Sequence, residues 1–538
     1  MNNKTILAID IGSTKVCSII AEDSQEGLRI IGAGVERSQG LRKGTITNID
    51  LASKAIKNSL EDAKRVAGES YDRGIVSISG AYAKSIDSSG IVNIPNKEIG
   101  VKEINRVMQT ALYNANIPKE YDVLHALPYN FKVDEQEFVE DPLGMNASRL
   151  EVHTHIIITQ KSNLNNLKRA VEAAGVQVEN IVLNSYASSI ATVNHDDKNL
   201  GVAVVDIGGN TSNFVIHAAG NSVRYNGFLP VGSNNITQDL SLALHTPVNV
   251  AENVKVTYGN LNFYHSPDDM IELPVIGDEQ TTHEVSLDLV HQVIDARVSE
   301  TVSLVARKIE ESGLKKDIGA GIILTGGLTK LEGIRELAMD IFEMPTRLAK
   351  PRDMSGLFES LRDPAFSTAI GLILHAAGYY SQYEFDSNRR MRHNNEEAEK
   401  LNEVQLDDIK GFGAENQPDF GGIQKPNFGN NSRTPRGGNS FGNGNFGKQN
   451  PSQFGSQEIP TFNSNQNTMN PQGNQKNNMG FPNNEYGIQK NYADSIPPAV
   501  EMENRQIRRP NQQNGMQQAN KNDTGFFSKT VQWINQLF

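Results

Sequence analysis

A single cysteine, Cys17, stands in 538 residues, which excludes an intramolecular disulfide and a cysteine-built zinc site. Positive charge is not in excess: 51 Lys and Arg against 63 Asp and Glu leave a net charge of −12. The chain therefore lacks the basic surface by which a general nucleic-acid binder displaces counterions, and no nucleic acid is expected among its partners. No apolar run reaches the roughly 18 residues that a bilayer-crossing helix needs. Met1 to Lys4 lead straight into the apolar run 6–9, without the basic start and cleavage site of a secretory leader, so a cytoplasmic chain is expected. Aromatics make up only 7% of the residues, and the one tryptophan, Trp533, lies almost at the C-terminal end.

What is present is unevenly spread. Aliphatic runs at 6–10, 202–206 and 322–324 each end in a glycine turn, at Gly12, Gly208-Gly209 and Gly326-Gly327; they read as buried strands. Helical periodicity covers 51–66, with Leu51, Ala55, Ile56, Leu60 and Ala63 on one face. It recurs over 293–309, with Val298, Val302, Val305 and Ile309, and the apolar stretch 367–380 reads as a third helix. Strands alternating with helices predict an α/β protein with much parallel sheet. Two stretches break the rhythm as insertions: 83–161, with a helix over 102–115, a loop around 141–144 and a strand over 150–158, and 233–290. Beyond Ser387 a charged stretch leads into 411–522, where Asn, Gln, Gly and Pro fill 62 of 112 positions and six Phe-Gly dipeptides recur. Such a segment cannot build a core and reads as a disordered spacer.

Three motifs carry chemistry. In Asp10-Ile11-Gly12-Ser13-Thr14-Lys15, a carboxylate at a strand end can face the water shell of a metal ion. The glycine turn and small hydroxyl residues let backbone N–H groups close round a phosphate, and Lys15 adds a point charge. Asp206-Ile207-Gly208-Gly209-Asn210-Thr211 repeats the device, so two like domains gripping one polyphosphate from opposite sides are expected. Gly326-Gly327 allows the backbone to lie flat against a purine. Between them Glu252 and Lys255 stand one helical turn apart, suited to ribose hydroxyls, although alone they read as an ordinary i,i+3 ion pair.

In this order the motifs resemble those of the actin-like ATPases, with connecting helices at 184–189 and 369–372. Within that superfamily the chain resembles the FtsA family of bacterial cell-division proteins, through 201–211, 251–255, 320–327, the insertion at 83–161, and a long linker ending in a short amphipathic helix. The resemblance implies an α/β fold of duplicated actin-like (ribonuclease H-like) domains. Domain 1A would comprise 1–82 plus 162–204, inserted subdomain 1C 83–161, domain 2A 205–232 plus 291–385, and subdomain 2B 233–290. A disordered linker, 386–522, and a membrane-targeting helix, 523–538, would follow. ATP and Mg²⁺ are the implied cofactors. Asp10, Gly12, Ser13, Thr14, Lys15, Asp206, Gly208, Gly209, Asn210 and Thr211 would hold the phosphates, Asp10 and Asp206 would reach Mg²⁺ through water, and Glu252, Lys255, Gly326 and Gly327 would hold the nucleoside. The implied partners are further copies in a filament, anionic lipid on the inner face of the cell membrane at the septum, the C-terminal tail of the tubulin-like protein FtsZ, and other division proteins. The FtsZ tail would bind the second insertion and its adjoining helix, with Arg297 as the candidate contact, since a guanidinium suits a carboxylate.

Departures refine this expectation. Asn210 replaces the glycine usual in the second phosphate motif, and Asn213 stands where many members have an acid. Hydrolysing members carry Glu or Gln on the first connecting helix, whereas 184–189 offers Asn184; a shorter amide places a water less well, so ATP binding with slow or no hydrolysis is expected and no catalytic residue is assigned. At the C-terminal end Phe526, Phe527, Val531, Trp533, Ile534, Leu537 and Phe538 recur at helical spacing. Fifteen residues span roughly 22 Å, short of the roughly 30 Å hydrocarbon core, so this helix is read as lying in the membrane interface. With Lys529 its only cation, one copy should hold anionic lipid weakly. His153 and His155 share a strand face without a third ligand in view and read as a polar face; Cys17 reads as a small buried residue. The alternatives are another membrane-linked actin-like filament protein, of MreB or pilus-assembly type, and a small-molecule kinase on the same fold.

Overall fold

The computed structural model describes residues 4–393, except 69, 70, 221, 263–265 and 267. The expected linker beyond 393 and the 523–538 helix, with Phe526, Phe527, Val531, Trp533, Ile534, Leu537 and Phe538, lie outside the described residues. The two halves of the chain repeat one topology. The first sheet runs Gly27–Arg37, Lys15–Ser24, Lys4–Ile11, Arg73–Ile78 and Gln177–Leu183; the second runs Ser222–Leu229, Ser212–Ala218, Val202–Ile207, Ile322–Thr325 and Thr346–Leu348. In each, three strands form an antiparallel meander and the fourth and fifth add in parallel beside the first. Parallel pairing therefore makes up half of each of these two sheets, and the aliphatic runs at 6–10, 202–206 and 322–324 each lie on a strand with a parallel neighbour. The antiparallel strand Lys15–Ser24 is also buried on both faces over its first seven residues.

Helix Ile49–Ala67 starts where the Asn48 side chain accepts the Leu51 N–H and stops at Gly68 in the left-handed region. Its buried stripe centres on Ala52, Ile56, Ser59 and Ala63, so Leu51, expected on that face, falls at the edge and is 42% exposed. Helices Asn184–Thr192 and Ser367–Ala376 follow the fifth strands of the two halves and cross at the middle of the molecule. Their closest approach needs a glycine: a Cβ on Gly371 would lie 1.8 Å from the Ala187 carbonyl oxygen. Ile370, Leu372, Ile373 and Leu374 are buried there, each contributing about 1.5–3 kcal/mol of apolar burial. Together with Ala349, Leu357, Leu361 and Phe366 they join a core that the first half shares with Val204 and Ile323 of the second, so the last stretch of the unit expected to run to 385 also packs on the first half.

Strand parity places the functional carboxylate. In Val202–Ile207, Ala203, Val205 and Ile207 pack into the second half's own core, while Val202 and Val204 face the core shared with the connecting helices. Side chains alternate along a strand, so Asp206 faces the connecting helices too.

The first insertion is a four-stranded sheet ordered Lys84–Asn93, Arg149–Gln160, Tyr121–Val133 and Gln136–Val139, covered by helix Val101–Asn114. The second comprises helices Ser233–Ala243 and Val248–Tyr258 and the hairpin Met270–Val275/Asp278–Ser286, followed by the long helix Leu287–Glu311. Residues 386–393, read as the start of the linker, are folded. Phe385 exchanges two backbone hydrogen bonds with Ala126 (3.0 and 2.9 Å), and Tyr383, Phe385 and Met391 enter the core of the first insertion. Glu384 points the other way: it accepts Tyr186 Oη (2.6 Å) and meets His375 Nε2 (2.7 Å), fully buried.

Candidate functional site

The two Asp-x-Gly motifs form matching hairpins. Gly12 N–H donates to the Lys15 carbonyl (3.0 Å) and Gly208 N–H to the Thr211 carbonyl (2.9 Å); Asp10 lies opposite Cys17 and Asp206 opposite Asn213. The tips meet across the cleft. A Cβ on Gly209 would lie 2.1 Å from Thr14 Cγ2, so any larger residue there would have to turn the Thr14 side chain aside.

Behind the tips lies a cavity of about 80 Å³. Of the predicted set, Asp10, Gly12, Ser13, Thr14, Lys15, Asp206, Gly208, Gly209, Thr211, Gly326 and Gly327 line it, joined by Asn184, Lys330 and Phe366. Asp10 Oδ1 accepts Ser77 Oγ (2.8 Å), which itself accepts the Ile11 N–H (2.8 Å). Asp206 Oδ2 accepts Ser188 Oγ (2.6 Å) and Thr368 Oγ1 (3.1 Å), one donor from each connecting helix. Burial pushes both carboxyls up in pKa, opposed at Asp10 by Lys15 and Ser77 and at Asp206 by Ser188, Lys15 and Thr368. Lys15 Nζ donates to the Ala365 carbonyl and sits 4.7 Å from the Phe366 ring centre. Lys330 pairs with Asp363, and burial pulls its pKa down. Two carboxylates as hard oxygen donors, with two ammonium groups beside them, fit a hydrated divalent cation carrying phosphate.

A second cavity, about 710 Å³, shares Ser13 and Thr14 and is lined further by Arg37, Asn210, Asn234, Thr237 and Glu252. Glu252 and Lys255 do share a helix face, but Lys255 is only 5% exposed. Its Nζ donates to Glu252 Oε2 (2.8 Å) and Thr237 Oγ1 (2.9 Å), which makes it a brace for Glu252. Burial lowers its pKa, opposed by Glu252. The predicted nucleoside set is thus divided, with Gly326 and Gly327 at the inner cavity and Glu252 at the outer.

Other expectations change more. Arg297 is engaged by Asp239 and Glu300 beside Leu242, Val293 and Ala296. His153 and His155, alternating with Thr154, share one face of their strand, which meets polar partners: His153 Nε2 lies 3.4 Å from Glu151. His155 is buried with Nδ1 3.2 Å from Asp87, while His153 stacks on Tyr129. Among the described residues no group of three or more His, Cys, Asp or Glu could hold a metal ion. Cys17 is buried, and burial pushes its thiol up to about 12. Sequence reasoning missed Ser77, Ser188, Thr368 and Lys330. Ser188 and Thr368 sit within or beside the connecting-helix stretches already noted; Ser77 is the penultimate residue of a strand whose sequence, Arg73–Ile78, carries no local mark of the site.

Two like halves clasping one carboxylate-lined cavity between crossed connecting helices define an actin-like protein. Among solved structures, the PilM-PilN type IV pilus biogenesis complex shares this fold, with a TM-score of 0.50 at 16% identity over 69% of this chain and 98% of that one. Residues 203–371 match the family described as Cell division protein FtsA, and 80–158 match the SHS2 domain inserted in FtsA. Cell division protein FtsA of Helicobacter pylori (strain ATCC 700392 / 26695) is 41% identical over 423 residues, covering 73% of this chain and 86% of that protein. That of Bacillus subtilis (strain 168) is 34% identical over 380 residues, covering 70% and 84%. The chain belongs to the FtsA family of bacterial cell-division proteins. Among the described residues no helix is long and apolar enough to cross a membrane.

Proposed function

We propose that this division protein binds ATP with Mg²⁺ between its halves, assembles into filaments on the inner face of the cell membrane at the septum, and ties FtsZ to that surface. The observation that supports nucleotide binding most is the convergence of Asp10 and Asp206, from equivalent hairpins of the two halves, on one cavity with Lys15. Asp10 and Asp206 would hold Mg²⁺ through water, and the turns with Lys15 and Thr211 would hold the phosphates. Mg²⁺, when bound, neutralises phosphate charge. Of the first connecting helix, Asn184 alone among the described residues lines the cavity, and its Oδ1 already accepts the Ser185 N–H (2.8 Å). Poor water positioning then makes turnover slow, below the roughly 1–100 s⁻¹ of kinases. Labelled ATP with Mg²⁺ should bind the full chain and not Asp206→Ala; equal binding by both refutes the site.

For the FtsZ tail, the patch between Ser233–Ala243 and Leu287–Glu311 offers Leu242, 73% exposed, beside Arg297. An acidic tail would take the place of Asp239 or Glu300 on the guanidinium. The amphipathic sequence at 523–538 supports the membrane reading, with anionic lipid as its partner. A filament so anchored would present a surface to other division proteins. Loss of FtsZ-tail binding in Arg297→Glu, with ATP binding kept, tests the patch.

A further inference from the structure

We infer that Asn210 and Asn234 form a latch across the cleft that must open for a nucleotide to pass between the two cavities, so that Asn210 controls how fast nucleotide is taken up; this rests on the ATP site proposed above. The two aspartates line the inner cavity of about 80 Å³ and Glu252 lines the outer one of about 710 Å³. A nucleotide that touches both must thread the partition between them. Ser13 and Thr14 line both cavities, and the second turn closes on them. Asn234 Nδ2 donates to Asn210 Oδ1 (3.0 Å), and Asn210 Nδ2 donates to the Ser13 carbonyl (3.3 Å). Asn234 is itself fixed to the turn, its N–H donating to the Gly209 carbonyl (2.7 Å). The chain runs in one direction, and the Asn210 amide serves as its middle link because its oxygen accepts while its nitrogen donates. A glycine at 210 makes neither bond.

An incoming phosphate oxygen can accept the Asn210 N–H in place of Ser13, so the latch exchanges one acceptor for another instead of losing it. The halves need not part: Gly80 N–H donates to Asn213 Oδ1 (3.1 Å) at the base of the same hairpin, which leaves opening to the tip. The test uses the full-length chain in two measurements. Stopped-flow association of a fluorescent ATP analogue with Mg²⁺ should be roughly two- to tenfold faster in Asn210→Gly and in Asn234→Ala, the range one hydrogen bond allows. The double variant should gain little more than either single, because both break one chain. Hydrogen exchange of the nucleotide-free protein should be faster at 12–15 and 208–211 in both variants. Unchanged exchange in both overturns the latch, and faster exchange with wild-type association rates overturns its role in uptake. Wild-type protein that binds no analogue refutes the ATP site and the uptake role with it, and the exchange result then still decides whether the latch exists.

Discussion

Ser188 Oγ and Asp206 Oδ2 are 2.6 Å apart, joining the first connecting helix to the end of a strand in the other half. Thr368 Oγ1 lies 2.8 Å from the same hydroxyl and 3.1 Å from the same carboxylate oxygen. One acid thereby fastens three elements at the point where the halves meet.

Removing that bond should be felt beyond the site. Hydrogen bonds to charged groups contribute about 1.5–3 kcal/mol, and Thr368 retains part of the interaction, so Ser188→Ala should lower the unfolding free energy by about 1–2 kcal/mol. Urea unfolding measures it, with an unchanged m-value. A variant as stable as wild type would show that the bond contributes nothing net.

Gly371→Ala sets two effects against each other. Alanine gains about 0.8–1.0 kcal/mol of helix propensity, but its Cβ would press on the Ala187 carbonyl, which belongs to a helix backbone and cannot swing away. Overpacking of about 1–3 kcal/mol should win. A fall in melting temperature is expected, and a rise would mean the helices are not so closely crossed.

Acid should weaken the fold well above the carboxylate range. Burial holds His125 and His217 down to about 3, helped at His217 by Lys198 and opposed at His125 by Glu384. Unfolded, each takes up a proton near pH 6.5, so the unfolded state binds more protons between about 6.5 and 3. Stability falls as pH drops through that window, by up to about 1.4 kcal/mol per pH unit for each histidine. Denaturant unfolding from pH 7.5 to 5 should show the decline, and His217→Gln should remove about one histidine's share of the slope. A flat profile below pH 6.5 contradicts the buried neutral state of both rings.

Membrane attachment should be cooperative. If 523–538 is the membrane anchor proposed above, one copy with a single lysine should bind weakly, whereas the proposed filament would present many, and linked binding can gain roughly 10²–10⁴ in avidity. Co-sedimentation with anionic liposomes should therefore rise steeply with assembly. Trp533→Glu should abolish it while leaving ATP and FtsZ-tail binding intact; a variant that still sediments would move the anchor elsewhere.

The two Asp-x-Gly turns were readable because their signal is local: an aliphatic run, an acid and a glycine within a few residues. Asp206 could be named from that pattern, but Ser188 and Thr368 became its donors only through the crossing of two helices from distant stretches. Lys255 was readable as a neighbour of Glu252 and not as a buried brace, because Thr237, its other acceptor, belongs to the preceding helix. Around 381–393 the composition misled: Asp386-Ser387-Asn388-Arg389-Arg390 reads as solvated chain. There Asp386 Oδ1 accepts the Asn388 and Arg390 N–H groups (2.8 and 2.9 Å) and turns the strand back on itself. The apolar partners of Tyr383 and Phe385 come from the insertion more than 200 residues earlier.

The pairing of Phe385 with Ala126 decides where a pull on the chain's C-terminal end would be felt. Whatever is attached past residue 393 tugs first on the hairpin seated in the 83–161 insertion. Arg392 donates its N–H to the Glu384 carbonyl (2.8 Å) and accepts the Tyr383 N–H (3.0 Å), so such a pull would meet Glu384 together with the two Phe385–Ala126 bonds, the rings of Tyr383 and Phe385, and the Tyr383 contact with Asp141. From Glu384 it would pass through Tyr186 to the helix whose Ser188 holds Asp206. The insertion would thus take a share of any load applied at residue 393, so that only part of it reached the two Asp-x-Gly turns.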